Sequence, residues 1–241
     1  MPVAAKQPAR VRVVADAVER VGLATVDTSS RVGAVMNANL ELFKSARAEV
    51  LVVSPYVVPM PRMTEALQQA GRAGARVSVV TNSLATTDEP LAHFGYARHR
   101  AALLKMGVAL YELMPERKTA HAANDDGHLG SLGRLHAKLA VVDRRWFYVG
   151  SMNMDRRSAH CNTELGLVAE SPALAGELAD LIHREHMSTS FSVSEADGAT
   201  SLRWRVSREG RATVFETEPD SSWGQLLWGT VLAWWIGEEW L

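Results

Sequence analysis

The sequence predicts an α/β fold with a mixed, mostly parallel central sheet, and two observations carry that prediction. Over residues 34–113, apolar runs typical of strands buried on both faces alternate with stretches of helical length and pattern. Later runs alternate apolar and polar residues and are separated by short turns, as in β-hairpins. At 241 residues, the chain is long enough to bury a sizeable core.

Glycines, prolines and polar turns separate the predicted elements along the chain. Helices are predicted over 34–48, 63–75, 91–107 and 172–187. The first strand lies in the apolar run 49–59, which Pro55 and Pro59 stop. Further strands are predicted over 76–83, 108–113, 135–143, 146–151 and 164–170, followed by a hairpin over 201–207 and 212–218.

This pattern divides the chain into three predicted parts. Residues 1–32 form a weakly ordered or extended lead-in, 33–220 a single domain, and 221–241 a tryptophan-rich C-terminal helix. The polar, glycine-bearing segment 115–134 is unusually long for a bare connection, so it is either a functional flap or locally disordered.

Composition limits the function classes. A formal net charge of −1 gives no overall attraction to nucleic acid, which makes a nucleic-acid partner a poor expectation. One cysteine excludes an internal disulfide and suits a reducing compartment. The N-terminus lacks the apolar core of a signal peptide, and no run of 18 apolar residues predicts a membrane-spanning helix. We therefore expect a cytoplasmic protein.

One short segment carries the groups that phosphate chemistry needs. His136 and Lys138 are two residues apart, so they share one face of an extended strand. Ser151 and Asn153 have the same spacing directly after Gly150. A lysine ammonium and amide N–H groups can hold phosphate oxygens while an imidazole nitrogen reaches phosphorus. A His-x-Lys pair alone is more often an ordinary solvent-facing pair, but the longer string of spaced residues is improbable by chance.

The full string is H-x-K-x4-D-x6-G-S-x-N, running from His136 to Asn153 with Asp143 between them. It resembles the signature of the phospholipase D superfamily at every specified position. The resemblance implies an α-β-α sandwich in which His136 attacks the phosphorus of a phosphodiester and forms a phosphohistidine. Lys138 and Asn153 would bind phosphate oxygens, and Ser151 would help line the phosphate site. It also implies no metal and no cofactor.

The segment after the motif resembles the cardiolipin synthases of this superfamily. The matching residues are Asp155, Arg157, Ser158, Asn162 and Glu164. By this resemblance Glu164 orients the imidazole, while Asp143 supports the motif rather than touching substrate. The implied reaction is phosphatidyl transfer in phospholipid synthesis, with a phosphatidylglycerol-type lipid as substrate.

The chain departs from those synthases in carrying one motif instead of two. The chemistry uses a second histidine to protonate the leaving alcohol. A homodimer could supply it, a separate chain could carry the first half, or the chain could be a fragment without turnover. Two other functions stay open: a homodimeric phosphodiesterase or nuclease, and an inert membrane-associated half-domain.

Polar residues at or beyond the predicted strand ends are further candidates for substrate binding, although each is individually more often a turn or capping residue. They are Ser54, Tyr56, Asn82, Ser83, Asp88 and His93, together with Arg157 after the motif. The C-terminal segment holds five of the seven tryptophans, a residue that favours the membrane interface, but it has no lysine or arginine. Peripheral contact with the inner face of the membrane and packing on the domain are about equally expected.

Overall fold

The computed structural model describes residues 9–17, 32–115, 134–196, 201–208 and 211–219. The predicted loop 115–134, apart from its two end residues, and the predicted helix 221–241 lie outside these ranges. The strands are β1 (Arg10–Ala15), β2 (Glu49–Val53), β3 (Arg76–Asn82), β4 (Ala109–Leu113), β5 (Leu139–Val142), β6 (Trp146–Gly150), β7 (Leu165–Glu170), β8 (Ser190–Glu195), β9 (Leu202–Arg208) and β10 (Arg211–Phe215). The helices are α1 (Ala34–Ser45), α2 (Pro61–Arg72), α3 (Pro90–Lys105), α4 (Arg156–His160) and α5 (Pro172–Leu181), the last continued by a π-helical turn, Ile182–Met187.

All ten described strands form one mixed sheet in the order β1-β7-β6-β5-β2-β3-β4-β8-β9-β10. Only the pairs β2–β3 and β3–β4 are parallel. The other pairs are antiparallel, so the expectation of a mostly parallel sheet is wrong. Connection length gives one reason: α2 and α3 lie between β2, β3 and β4, whereas a tight turn joins β5 to β6. Such a turn can join only antiparallel neighbours.

Helices cover both faces of this sheet, as the predicted α/β fold requires. One core contains side chains of α1, α2 and α3, among them Val35, Met63 and Leu103. On the other face, Ala175 and Ala179 of α5 pack with Leu51, Val53, Val80, Leu135 and Val141. Strand β2 is buried at every residue, which explains the unbroken apolar run 50–53 that follows Glu49. The helix boundaries follow proline chemistry, because α2, α3 and α5 each begin at a proline, whose fixed φ suits the first helical turn.

The edge strand β1 lies within the residues expected to form the lead-in. It pairs antiparallel with β7, so the sheet begins well before residue 33. The next residue, Asp16, is 6 % exposed and accepts a hydrogen bond from the backbone N–H of Val35 at 3.1 Å. This carboxylate satisfies a free N–H in the first turn of α1 that no local side chain caps. Among the described residues, no helix is long and apolar enough to cross a membrane.

Candidate active site

The two leading motif residues lie in the extended segment immediately before β5. His136 is exposed, and Lys138 is partly buried. The Lys138 Nζ donates to the carbonyl of His136 at 3.0 Å, while the Lys138 carbonyl accepts the N–H of Gly150 at 3.0 Å. The segment is therefore held against β6, and the imidazole of His136 projects from the sheet at its surface.

The pKa of Lys138 is affected both by its partial burial and by nearby carboxyl groups. Burial lowers the pKa of Lys138 below its ordinary value of 10.5, and the charges of Glu164, Asp88 and Asp155 act in the opposite direction. These three carboxyl groups come from three separate parts of the chain. The fold thus gathers one cation and several acids at one end of the sheet, beside His136.

Ser151 and Glu164 form the most tightly connected part of the site. The Ser151 hydroxyl donates to Glu164 Oε2, and Asn162 Nδ2 donates to Glu164 Oε1 at 3.2 Å. Glu164 is 4 % exposed, and its backbone N–H donates to Asp16 Oδ2 at 3.3 Å. A buried carboxylate held by these groups has a fixed orientation. Asp16 links the backbone of Glu164 to the start of α1, a role that the sequence does not reveal because Glu164 lies 148 positions further along the chain.

The glycine of the motif is explained by the ring of Tyr148. A Cβ at Gly150 would lie 2.5 Å from the Leu165 carbonyl oxygen and would collide with the Tyr148 hydroxyl. Gly166, which pairs with Gly150 across β6 and β7, would likewise collide with this ring. Burial raises the pKa of Tyr148 to about 12, and the N–H of Met152 donates to its oxygen at 3.4 Å. Two facing glycines therefore make room for a buried tyrosine directly beneath the Ser151 turn.

Replacement of Gly150 by alanine is expected to lower the free energy of unfolding by about 1–3 kcal/mol, the usual cost of overpacking. The Leu165 carbonyl belongs to the backbone of β7 and cannot move aside as a flexible side chain could. Urea denaturation measures the change. Gly176→Ala is the matched control, because a Cβ there has nothing within 4 Å. This α5 substitution should stabilise by about 0.5–1 kcal/mol, and equal effects at the two glycines would contradict the explanation.

The turn that follows Ser151 is held by hydrogen bonds within α4 and its cap. Asp155 caps α4 by accepting the N–H of Ser158 at 2.7 Å, and burial raises the Asp155 pKa above its ordinary value. Ser158 Oγ accepts the N–H of Asn153 at 3.3 Å. The Asn153 Oδ1 is buried without a hydrogen-bond partner among the described residues. Arg157 is exposed on α4.

The segment after β2 contributes two of the predicted binding residues, Ser54 and Tyr56, and a third, Asp88, bonds to Tyr56 from the segment after β3. Ser54 is buried and bridges two segments: its hydroxyl donates to the Tyr56 carbonyl at 2.7 Å and accepts the N–H of Met154 at 3.1 Å. The Tyr56 hydroxyl donates to Asp88 at 2.9 Å. Burial and this hydrogen bond raise the pKa of Tyr56 to about 12. Tyr56 and Asp88 thus lie at the rim of the site, whereas Ser54 joins the segment after β2 to the segment that follows Ser151.

Two other predicted binding residues have structural partners. Ser83 is buried, and its N–H donates to Thr86 Oγ1 at 2.9 Å within the turn after β3. Asn82 is buried at the end of β3 and bonds to the backbone of Leu135. Ser83 therefore stabilises its own turn, whereas Asn82 contacts the segment that carries the motif.

His93 lies on α3 in a buried ionic cluster whose other members, Arg100, Glu112 and Glu218, are outside the motif. His93 is 4 % exposed and lies 3.0 Å from Glu218 and 2.7 Å from Arg100. Arg100 also pairs with Glu112 at 2.9 Å and with Glu218 at 2.5 Å. The contact of His93 with substrate stays a prediction. The sequence does not reveal this cluster, because Glu218 lies 125 positions from His93 and 118 positions from Arg100.

Asp143 lies at the opposite end of β2 from the site. Its carboxylate accepts the backbone N–H groups of Arg47, Ala48 and Glu49 at 2.9, 2.7 and 2.9 Å. Asp143 and Arg144 both have positive φ, as a tight hairpin turn between β5 and β6 requires. These bonds join the turn between β5 and β6 to the start of β2, as expected if Asp143 supports the motif rather than touching substrate. Within the described ranges, no group of three or more His, Cys, Asp or Glu side chains could hold a metal ion.

Comparison with known proteins agrees with this architecture. Residues 39–185 match the family model described as "Cardiolipin synthase, PLD-like domain". The chain belongs to this cardiolipin synthase-like family of the phospholipase D superfamily. It is 38% identical over 172 residues to cardiolipin synthase C of Escherichia coli (strain K12), an alignment that covers 71% of this chain and 34% of that protein. The chain thus spans about a third of the length of this curated relative.

Solved structures share the fold at low sequence identity. Nuc from Salmonella typhimurium, described as a phospholipase D family member, superposes with a TM-score of 0.55 at 17% identity, covering 78% of this chain and 100% of Nuc. The phosphatidylserine synthase of Haemophilus influenzae Rd KW20 superposes with a TM-score of 0.53 at 12% identity, covering 95% of this chain and 47% of that protein. These likenesses support the fold class and nothing finer.

Proposed function

We propose that this chain is one half of a phosphatidyl-transferring enzyme that acts in cardiolipin-type phospholipid synthesis. The observation that carries the proposal is the gathering of His136, Lys138, Ser151 and Glu164 at one end of the sheet, in the motif of the family. The similarity to cardiolipin synthase C supports the substrate class.

The proposed reaction has two steps at phosphorus. A ring nitrogen of His136 forms a bond to the phosphorus of phosphatidylglycerol, and the bond from phosphorus to the glycerol oxygen breaks. The departing oxygen takes a proton from an acid on the second half, so glycerol leaves. A hydroxyl of another lipid then attacks the phosphohistidine, returns its proton to that group, and frees His136. Lys138 and Asn153 hold the non-bridging oxygens, and a fixed Glu164 keeps the imidazole in one tautomer.

A second half of the same kind is required, and an apolar strip beside the site fits it. The strip consists of Val11, Val13, Val149, Leu165 and Leu167, each at least 39 % exposed. Val13, Leu167 and Val149 lie in one row across β1, β7 and β6. The strip reaches the site itself, because the Leu165 N–H donates to Ser151 Oγ at 3.0 Å. Exposed apolar surface of this kind marks protein contacts, and the occupant we propose is a second phospholipase D-like half.

Purified protein mixed with phosphatidylglycerol vesicles is expected to release glycerol and form cardiolipin, because the phosphohistidine passes its lipid to a hydroxyl. Thin-layer chromatography separates cardiolipin from phosphatidic acid, the product of transfer to water. Light scattering of the same sample, with and without detergent, gives the number of halves in the active species.

Each outcome has a distinct meaning. Cardiolipin from a homodimer supports the proposal in its simplest form. Phosphatidic acid alone would make the chain a phosphodiesterase. Activity from a strict monomer would contradict the need for a second half, and a dimer that acts on neither lipid nor simple phosphodiesters would support the inert alternative.

A further inference from the structure

The strand β2 ends earlier than its two neighbours. Val53 is its last residue and pairs with Val80 on β3 and with Leu139 on β5. The N–H of Ser54 still donates to the Val80 carbonyl at 3.1 Å, but Pro55 then takes the chain out of the ladder. Proline has no N–H to continue such pairing. A gap one strand wide therefore lies between the end of β3 and the segment that precedes β5.

The side chain of Asn82 spans this gap. Its Oδ1 accepts the backbone N–H of Leu135 at 3.0 Å, and its Nδ2 donates to the Leu135 carbonyl at 3.0 Å. Asn82 is 1 % exposed, so both bonds are shielded from water. Toward Leu135 the carboxamide presents one donor and one acceptor, as a strand backbone does, and its Nδ2 also donates to the Pro55 carbonyl at 3.4 Å. It thus completes the hydrogen bonding of Leu135 where β2 no longer can.

Leu135 immediately precedes His136, and the backbone on the other side of His136 is also held. The Leu135 side chain is 5 % exposed and packs in the core beneath α5. Beyond His136, the carbonyl of Lys138 accepts the Gly150 N–H at 3.0 Å. His136 itself is exposed. The position of its ring therefore depends on the anchors before and after it, and Asn82 supplies the polar part of the first anchor.

We propose that Asn82 is a positioning residue for His136. Its carboxamide bonds to Leu135 as a neighbouring strand would, and it thereby fixes the backbone from which the His136 side chain projects. This inference rests on the proposed function, because it assigns Asn82 a role in that reaction. Positioning matters because a misplacement of about 1 Å can cost roughly 100-fold in rate. The same contacts leave Asn82 occupied by the protein, so its part in the reaction is exerted through His136 rather than on the lipid.

The chemistry of the clamp makes asparagine hard to replace. In Asn82→Asp the shape is kept, but an oxygen would face the Leu135 carbonyl and repel it. In Asn82→Ser the side chain is too short to reach both groups, and buried backbone groups without partners are costly. Thr81→Val is a matched control one residue earlier. It removes the hydrogen bond from Thr81 Oγ1 to the Pro55 carbonyl at 3.2 Å and leaves both Leu135 bonds intact.

The test compares these three variants with the wild type in two ways. The first needs no turnover: amide exchange at Leu135 and the ring carbon–proton signal of His136 are followed by NMR. The second is steady-state transfer from phosphatidylglycerol vesicles. Both Asn82 variants should show faster exchange at Leu135, a displaced or broadened His136 ring signal, and a kcat lowered about 100-fold with KM little changed. Thr81→Val should keep the Leu135 exchange rate, the His136 ring signal and kcat at wild-type values, even if it lowers the melting temperature.

Two results would overturn the inference. One is a folded Asn82 variant with an unaltered His136 ring signal. The other is a loss of kcat in Thr81→Val as large as in the Asn82 variants. In that case, any substitution at the end of β3 would lower kcat, and the Leu135 bonds would not be the cause. If the wild type acts on no phosphodiester, the proposed function fails by itself, and the ring signal still decides whether Asn82 positions His136.

Discussion

Replacement of His136 by alanine is expected to abolish phosphatidyl transfer, with kcat reduced by at least about 10⁴-fold, as for other enzymes that lose their nucleophile. His136 is exposed, while Lys138 bonds to the His136 carbonyl and Ser151 bonds to Glu164. Without the imidazole no covalent intermediate can form, and the remaining groups can only bind the lipid. Cardiolipin formation from phosphatidylglycerol vesicles measures the loss.

The matched control is another partly exposed histidine. His183 lies 3.3 Å from Glu49, at the end of β2 opposite the site. His183→Ala should transfer lipid at the wild-type rate, and both variants should melt within a few degrees of the wild type. A His136→Ala protein that keeps a tenth or more of its activity would show that this imidazole is not the nucleophile.

Replacement of Arg100 by alanine is expected to cause the largest loss of stability, about 3–5 kcal/mol, the usual cost of removing one partner from a buried ion pair. Arg100 is 3 % exposed and lies between Glu112, which is fully buried, and Glu218. Its guanidinium also packs 4.8 Å from the ring centroid of Tyr96 and 5.4 Å from that of Trp204. Without Arg100, the buried carboxylate of Glu112 loses its cationic partner, although it still accepts the Trp204 N–H at 2.8 Å.

Chemical denaturation of Arg100→Ala and Arg98→Ala compares a buried with an exposed arginine on the same helix. The exposed substitution should change the free energy of unfolding by no more than about 0.5 kcal/mol. Equal effects would contradict the importance of the buried cluster.

The same cluster predicts a dependence of stability on pH. Burial by itself would raise the pKa of Glu218, but the hydrogen bond from His93 and the charge of Arg100 outweigh it and lower the pKa to about 2. A carboxyl whose folded pKa lies below its ordinary value of 4.5 stabilises the protein above that pH. This contribution should be lost as the pH falls from 4.5 towards 2, and its loss should be smaller in Arg100→Ala.

Local patterns predicted most of the fold. Strands β2, β3 and β4 and the helices between them lie where expected, and the hairpin of β9 and β10 is confirmed. The sheet's mostly antiparallel character was not predicted, because the central α/β rhythm was extended to strands that tight turns connect. Strand β1 was missed because its short alternating run, RVRVVA, lies among residues with no other regular pattern.

The candidate site was predictable only where its residues are close in sequence. The spacing from His136 to Asn153 is local, so the motif was visible. The clamp of Asn82 on Leu135 and the bond of Glu164 to Asp16 join residues 53 and 148 positions apart, and no periodicity reports such pairs. For the same reason Asn82 was expected to bind substrate, whereas its contacts are with the backbone of Leu135 and Pro55.

The step on which the proposed function most depends is the transfer of the phosphatidyl group from the donor to His136 and then to the acceptor. Its most direct test is mass spectrometry of protein quenched with alkali within the first turnover on phosphatidylglycerol, since phosphohistidine is labile to acid. We predict a phosphatidyl adduct on the peptide that contains His136, appearing before cardiolipin and absent from His136→Ala. Cardiolipin formed at full rate with that peptide unmodified throughout the first turnover would contradict the account.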